Sequence, residues 1–558
     1  MELQAALDER LARLAPDQRT AATAPPGPIL CVAPAGSGKT TTLVARICWL
    51  AANGVEPGTI TAITFNKRAQ EELARRLVDA LGPSVAGRSP VRVRTFHALG
   101  REILLAAGRS VELVDRDALC AELWPASSAR DRRRLDEAFS RLKLDLRADA
   151  AAVARDPAAG PIAKAFLAYQ AGLREREVLD FDDLVAEALR LLETHPDQLR
   201  RWRTACLHLL VDEAQDLDRS QLDLALLLAA PANQVFLVGD DDQSIYGWRL
   251  ADVRRVLGLA AALPSLRRVD LVTNYRCPAT VVERAVRLVE HNRERFRKTI
   301  VARSAAEGRI VLAADGSDET VRLGRLLASW PRDGSSLAVL ARTNRELLPA
   351  VAACLELGLA FRAPRVVLLA EAPEVDDLLD RVEEDGPAAA PLLVRLGRLR
   401  AALGEHLADD DGETPEAATS SGPSLADLAA ALLGWAPRFR SLTAFRAAVH
   451  ETRGAVKRLR SDDATLTLAT VHGTKGLEWD HVGVIGLETG RFPSARSVDD
   501  AADPARALEE ERRLAYVAWT RARRSLTLVY DPATPSQFLL EAFTPEELGL
   551  DRATSVAA

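Results

Sequence analysis

With 558 residues, 48% hydrophobic and 27% charged, the chain is too long for one ordinary core, and two to four soluble domains are expected. A formal net charge of −6 excludes a uniformly basic nucleic-acid binder but leaves room for a local basic channel. No run approaches the ~20 apolar residues needed to span a bilayer, so no membrane partner is expected.

The start, MELQAALDERLARL, carries acids where a signal peptide needs an apolar core. The six cysteines (Cys31, Cys48, Cys120, Cys206, Cys277, Cys354) lie far apart without CxxC spacing. That argues for a reducing cytoplasm and against a zinc or iron–sulfur module.

In chain order, the first half offers six candidate strands: PILCVA from Pro28, ITAITF from Ile60, VRVRTF from Val91, LHLLVDE from Leu207, QVFLVGD from Gln234 and VDLVTNY from Val269. Most are near-continuous apolar runs, the pattern of a parallel sheet covered on both faces. Between Leu99 and Arg200 the pattern turns helical and arginine-rich, which predicts a helical insertion. A second set follows: RIVLAA from Arg309, SLAVLAR from Ser336, LTLATVHG from Leu466, HVGVIGL from His481 and SLTLVY from Ser525. It is split by a segment from about Glu374 to Asp463 that contains DDDGETPEAATSSGPS (409–424), read as a flexible linker.

APAGSGKTT, which is Ala33, Pro34, Ala35, Gly36, Ser37, Gly38, Lys39, Thr40 and Thr41, follows the first strand and opens a helix. That is the context of a Walker A phosphate loop, although Ala33 stands where the usual first glycine would be. Gly36 and Gly38 let backbone N–H groups approach phosphate, Lys39 suits the β- and γ-phosphates, and the Thr40 hydroxyl suits Mg²⁺. LLVDEAQD (209–216) ends the fourth strand with acids: Asp212 as the Mg²⁺ partner, Glu213 to polarise the attacking water, with Gln215 and Asp216 shaping the loop. Gln18, in LAPDQRTA, carries a donor and an acceptor suited to an adenine edge.

The stretch VGDDDQSIYGWR (238–249) then sets two large aromatics beside an acidic turn. With TFNKRAQEEL from Thr64, RTFHALG from Arg94, LDFDDLV from Leu179, NYRCP from Asn274, TVHGTKGLEWD from Thr470 and EEERRLAYVAWTRAR from Glu509, the ordered series resembles the UvrD/Rep/PcrA-like superfamily 1 helicases from about Gln18 to Phe538. The resemblance implies an α/β fold of two RecA-like parallel-sheet motor domains, each with a mainly helical insertion. The segments would be 1–95, 201–275, 276–373 and 464–558 for the motor domains, and 96–200 and 374–463 for the insertions, the second being about half the family length.

The resemblance further implies ATP and Mg²⁺ as cofactors, single-stranded and tailed duplex DNA as substrates, repair or replication proteins as partners, and 3′–5′ movement. It assigns Gln243 to sensing the γ-phosphate, Tyr275 to stacking on adenine, Arg276 and Arg521 to the γ-phosphate, and Glu478 to the ribose. Phe65, Asn66, His97, Tyr246, Trp248, Arg249 and His472 fall along the strand-binding groove, with Arg249 facing the nucleotide cleft and Lys475 near His472. Arg512 and Arg513 read as salt-bridge formers. Core packing is an alternative reading of Phe65, Tyr246 and Trp248, and helix capping of His97. A protein-stripping translocase and a nucleotide-gated DNA-binding adaptor remain alternatives to a helicase.

Overall fold

The computed structural model describes residues 2–82, 90–148, 153, 160–303, 307–384, 390–403 and 425–550. The expected linker at 409–424 lies outside them. The chain divides into two units, one of Met1–Tyr275 with Asn292–Val301, the other of Arg276–His291 with Ala302–Ala558.

The first unit is built on a six-stranded sheet of β1 (Ile29–Val32), β2 (Ile60–Thr64), β3 (Arg92–Thr95), β4 (His208–Val211), β5 (Val235–Gly239) and β6 (Arg267–Asp270), in the order β3-β2-β4-β5-β1-β6. Every pairing is parallel. The apolar runs form strands here because both faces are covered. Leu30, Val32, Leu209, Val211 and Leu237 point into one core. Ile29, Cys31, Leu210, Phe236 and Val238 point into the other. This is the period-two alternation of a pleated strand with no face left to water. The edge strands β3 and β6 carry arginines and are less buried, as an edge that must not recruit another chain should be.

Helices fill most of the described chain from Phe96 to Ala205. Phe96–Ala106 and Asp183–Thr194 join the core under the sheet. Leu119, Phe139, Phe166 and Tyr169 form a separate small core. After β6 come the two-residue strands β7 (Thr273–Asn274) and β8 (Val301–Ala302).

The second unit repeats the plan with β9 (Arg309–Ala314), β10 (Leu337–Ala341), β11 (Phe361–Arg362), β12 (Leu466–Thr470), β13 (Trp479–Val484) and β14 (Ala522–Tyr530). Their order is β11-β12-β10-β13-β14-β9, again all parallel. Between β11 and β12 the helices Glu374–Glu384, Leu392–Leu403, Leu425–Trp435 and Leu442–Leu459 share a core of their own around Val375, Leu396, Leu432 and Phe445. The fold class is therefore α/β, with two parallel sheets, each interrupted by a mainly helical segment. Among the described residues no helix is long and apolar enough to cross a membrane. All six cysteines are buried free thiols.

Candidate functional site

In an open parallel sheet, ligands bind beyond the carboxyl ends of the strands. In the first unit β1, β5 and β4 lie side by side, and each ends in one of the motifs.

β1 runs into the glycine loop, anchored where Ala33 N donates to Gly239 O at 2.8 Å. Gly36 and Gly38 stand at φ +68° and +85°, a region that side chains with a Cβ avoid. Gly38 also caps the helix Lys39–Ala52, whose first N–H groups have no partner within the helix and carry the positive end of its dipole. Ser37 Oγ is buried and has no hydrogen-bond partner among the described residues. A loop of this shape, with a spare hydroxyl and a lysine, fits a polyphosphate.

Gln18 is committed to this loop. Its Nε2 donates to Ser37 O at 2.8 Å and its Oε1 accepts from Ala15 N at 3.1 Å. A Cβ on Gly38 would lie 2.5 Å from Gln18 Nε2, so the glycine is needed for clearance as well as for φ. The expected adenine reader thus supports the phosphate loop in this structure. On the loop's other side, Asn274 Nδ2 donates to Ala35 O and Tyr275 N to Gly36 O, at 2.8 and 2.9 Å. The Tyr275 ring remains 41% exposed, as a stacking surface requires.

β4 delivers Asp212 and Glu213. Asp212 Oδ1 accepts from Glu213 N at 2.9 Å, and Lys39 Nζ lies 3.4 Å from both Glu213 carboxylate oxygens. Glu213 has φ +51°, a left-handed conformation that costs a non-glycine residue about 1–3 kcal/mol. Gln215, read from sequence only as a loop former, is a bridge. Its Nε2 donates to Glu213 Oε2 at 2.5 Å and its Oε1 accepts from Asp240 N at 2.9 Å. Gly239 makes room for it, since a Cβ there would meet Gln215 Oε1 at 2.3 Å. Gln243, also buried, donates from Nε2 to Asp240 Oδ2 at 2.6 Å. Lys39, Asp212, Glu213 and Gln243 therefore belong to one continuous set of loops.

The same β5 loop continues into the aromatics. Tyr246 is buried, its ring stacked on Phe65 with centroids 4.9 Å apart, and it meets the Trp248 ring at an edge, 6.2 Å away. The expected base platform packs inward in this structure, with Phe65 and Trp248 as its half-buried ring partners. The Arg249 guanidinium lies 4.6 Å over Trp248. Asn66 is exposed and caps the helix Lys67–Leu81, its Oδ1 accepting from Ala69 N at 2.9 Å.

His97 does not cap its helix, because Thr95 Oγ1 takes that place by accepting from Ala98 N. Its ring stacks instead on the exposed Phe181 with centroids 4.0 Å apart. Burial pushes this imidazole from 6.5 down to about 4, Asp182 only partly opposing. The unfolded chain takes up the proton near 6.5 and the folded one only near 4. Stability is thus full above that window and falls as pH drops through it. Urea unfolding should show wild type losing about 1–2 kcal/mol more than His97→Gln between pH 7 and 5. Equal losses in the two proteins would contradict this.

In the second unit Arg276 Nε donates to Glu478 Oε2 at 2.6 Å and its Nη1 to Thr520 O at 3.1 Å. The adjacent Arg521 is fully buried, with Nε donating to Val517 O and Nη1 to Leu477 O. Three expected nucleotide residues, Arg276, Glu478 and Arg521, are thus gathered by the turn before β13 and the start of β14. His472, expected to face DNA, is 5% exposed in this structure, and burial holds its imidazole well below the ordinary range. A neutral interior ring suits packing of the turn. Arg512 pairs with Glu541 at 2.7 Å and Arg513 with Glu509 at 3.3 Å, both as salt bridges.

Residues 14–263 match the UvrD/REP helicase N-terminal domain and residues 442–532 the UvrD-like helicase C-terminal domain. The chain is 29% identical to DNA helicase II of Escherichia coli (strain K12) over 609 residues, covering 92% of this chain and 84% of that relative. It is 27% identical to the ATP-dependent DNA helicase Rep of the same organism, covering 95% and 94%. It is 28% identical to the ATP-dependent DNA helicase PcrA of Leuconostoc citreum, covering 90% and 80%.

Proposed function

We propose, from the premise that the chain belongs to the UvrD/Rep/PcrA-like helicases, that it is an ATP-hydrolysing DNA motor that moves 3′ to 5′ along a single strand and unwinds duplex DNA in repair or replication in the cytoplasm. One observation carries the reading. The loop after β5 buries Gln243 against Asp240, which Gln215 links to Glu213 at the end of β4, and, five residues on, leaves Trp248 half-buried next to Arg249.

In this reading the backbone N–H groups around Gly36–Thr41 cradle the phosphates and Lys39 neutralises them. The Thr40 hydroxyl and Asp212 would hold Mg²⁺, which supplies positive charge at the phosphate oxygens. Glu213 orients and polarises the attacking water. Gln243 meets the γ-phosphate, and its change of partner is passed to the aromatic end of the same loop. Arg276 and Arg521 add planar, permanently charged groups for the charge that spreads in phosphoryl transfer. Doing so means leaving Glu478 and the carbonyls that now hold them. Tyr275 stacks on adenine and Glu478 takes the ribose. Phe65 and Trp248 grip bases of any sequence by stacking, as a moving motor needs.

Strand displacement with ATP on duplexes carrying a 3′ or a 5′ tail tests the proposal. Unwinding from the 3′ tail alone, with DNA-stimulated ATP turnover, is the expected result. Stimulated turnover without displacement on either tail would favour a translocase that strips bound proteins, a reading kept because the second helical segment spans only Glu374–Leu459. Absence of stimulated turnover would sink the motor reading.

A further inference from the structure

Three consecutive aspartates, Asp240, Asp241 and Asp242, are buried at the end of β5. They are matched by two basic side chains that the motif series leaves out, both on the stretch Asn292–Val301 of the same unit. The Lys298 side chain is completely buried, with Nζ 2.7 Å from Asp240 Oδ1, 3.0 Å from Asp242 Oδ2 and hydrogen-bonded to Asp241 Oδ1. Arg295 grips Asp242 with two bonds of 3.0 and 2.8 Å. Phe296 N donates to Asp241 Oδ2 at 2.7 Å. Burial alone would lower the Lys298 ammonium, but the three carboxylates outweigh it and hold it above its ordinary range.

Charges this deep are costly, and a well-packed apolar cluster of the same volume is often as stable or more so. Stability therefore does not call for them, but orientation does. One oxygen of Asp240 receives Lys298, and the other receives Gln243 Nε2 at 2.6 Å. The backbone of the same turn is closed by Gln243 N donating to Asp240 O at 2.9 Å. With Lys298 on one oxygen of Asp240, the other accepts from the Gln243 amide nitrogen, and this fixes which end of the amide faces it.

We propose that Lys298, assisted by Arg295, is a positioning residue: acting through Asp240, it sets the Gln243 amide in the orientation that meets the γ-phosphate. The inference rests on the proposed role of Gln243. It predicts that a lysine 55 residues downstream of its target controls turnover without touching nucleotide.

The test is Lys298→Met, alone and with Asp241→Asn. The second change removes one buried carboxylate that does not contact Gln243, so the fold survives loss of the ammonium. Single-strand-stimulated ATP turnover of the double variant should show kcat lowered at least tenfold and KM for ATP within about threefold of wild type. In a cycle with Gln243→Ala, loss of Lys298 should add less than about twofold to the loss already made. A wild-type kcat in the double variant, or fully additive losses, would overturn the proposal. Amide hydrogen exchange over residues 239–246 reads the same contact without turnover. Faster exchange in the double variant is expected, and unchanged protection would overturn the positioning role even if the wild-type protein proved to have no motor activity.

Discussion

Glu213→Gln lowers ATP turnover by roughly 10²–10⁴-fold, the usual worth of a positioned general base, while leaving nucleotide binding close to wild type. The substitution keeps the side-chain volume and still offers an oxygen to Gln215 Nε2, now 2.5 Å from the carboxylate. It removes the negative charge that polarises water and that faces Lys39 Nζ at 3.4 Å. The left-handed backbone at φ +51° is fixed by the surrounding turn, with Glu213 N bonded to Asp212 Oδ1, so geometry is retained and chemistry is lost. The same variant should fail in strand displacement yet bind tailed DNA in the presence of ATP. Binding of a fluorescent ATP analogue together with single-strand-stimulated turnover checks it. A turnover within tenfold of wild type would remove Glu213 from the base role and direct attention to other acids of the β4 turn.

Much of the frame is legible in the sequence for a physical reason. A parallel strand buried on both faces must be apolar at consecutive positions, so ILCV, VFLVG and LAVLA announce themselves as strands without any alignment. The phosphate loop is equally local: two glycines, a lysine and a helix start within nine residues. What escapes is non-local or too short. β11 is two residues long and carries no periodicity, so the sixth strand of the second sheet is invisible.

The partners of Asp240–Asp242 sit more than fifty residues away in a run of mixed charges, NRERFRKTI, that reads as a solvated surface. Only the fold brings Lys298 under the loop. Gln18 reads in the sequence as an amide for an adenine edge, and only the fold shows that Gly38 lets it reach the phosphate loop.

The aromatics show the same limit at closer range. Tyr246 and Trp248 are two residues apart on a turn, where neither the helical nor the strand period applies, so nothing in the sequence says which ring packs inward. In the structure Tyr246 lies against Phe65 and Trp248 is half-exposed. His472 misleads for a related reason. A polar side chain in a motif invites a ligand role, while its 5% exposure makes it part of the turn's interior.

That division between the two rings yields the second large effect. Trp248→Ala should weaken single-stranded DNA binding by about 5- to 150-fold, the ~1–3 kcal/mol that a base–aromatic stack contributes. The DNA concentration for half-maximal ATPase stimulation should rise by the same factor. Trp248→Phe keeps a ring and should recover most of the loss. Stacking involves no counterion release, so the factor should be the same at 50 and 200 mM salt. Arg249→Ala should instead flatten the salt dependence, by a log–log slope of about 0.7 if it contacts one phosphate.

Tyr246→Ala is the discriminating control. Truncating a buried aromatic costs ~3–5 kcal/mol of stability, so it should lower the unfolding midpoint. Trp248→Ala should lower it much less, because the ring is only half-buried. Fluorescence anisotropy with a labelled oligonucleotide and thermal unfolding separate the two. If Trp248→Ala bound DNA like wild type but unfolded as early as Tyr246→Ala, the tryptophan would be a packing residue. The strand grip would then fall to Phe65 and the Phe181–His97 pair.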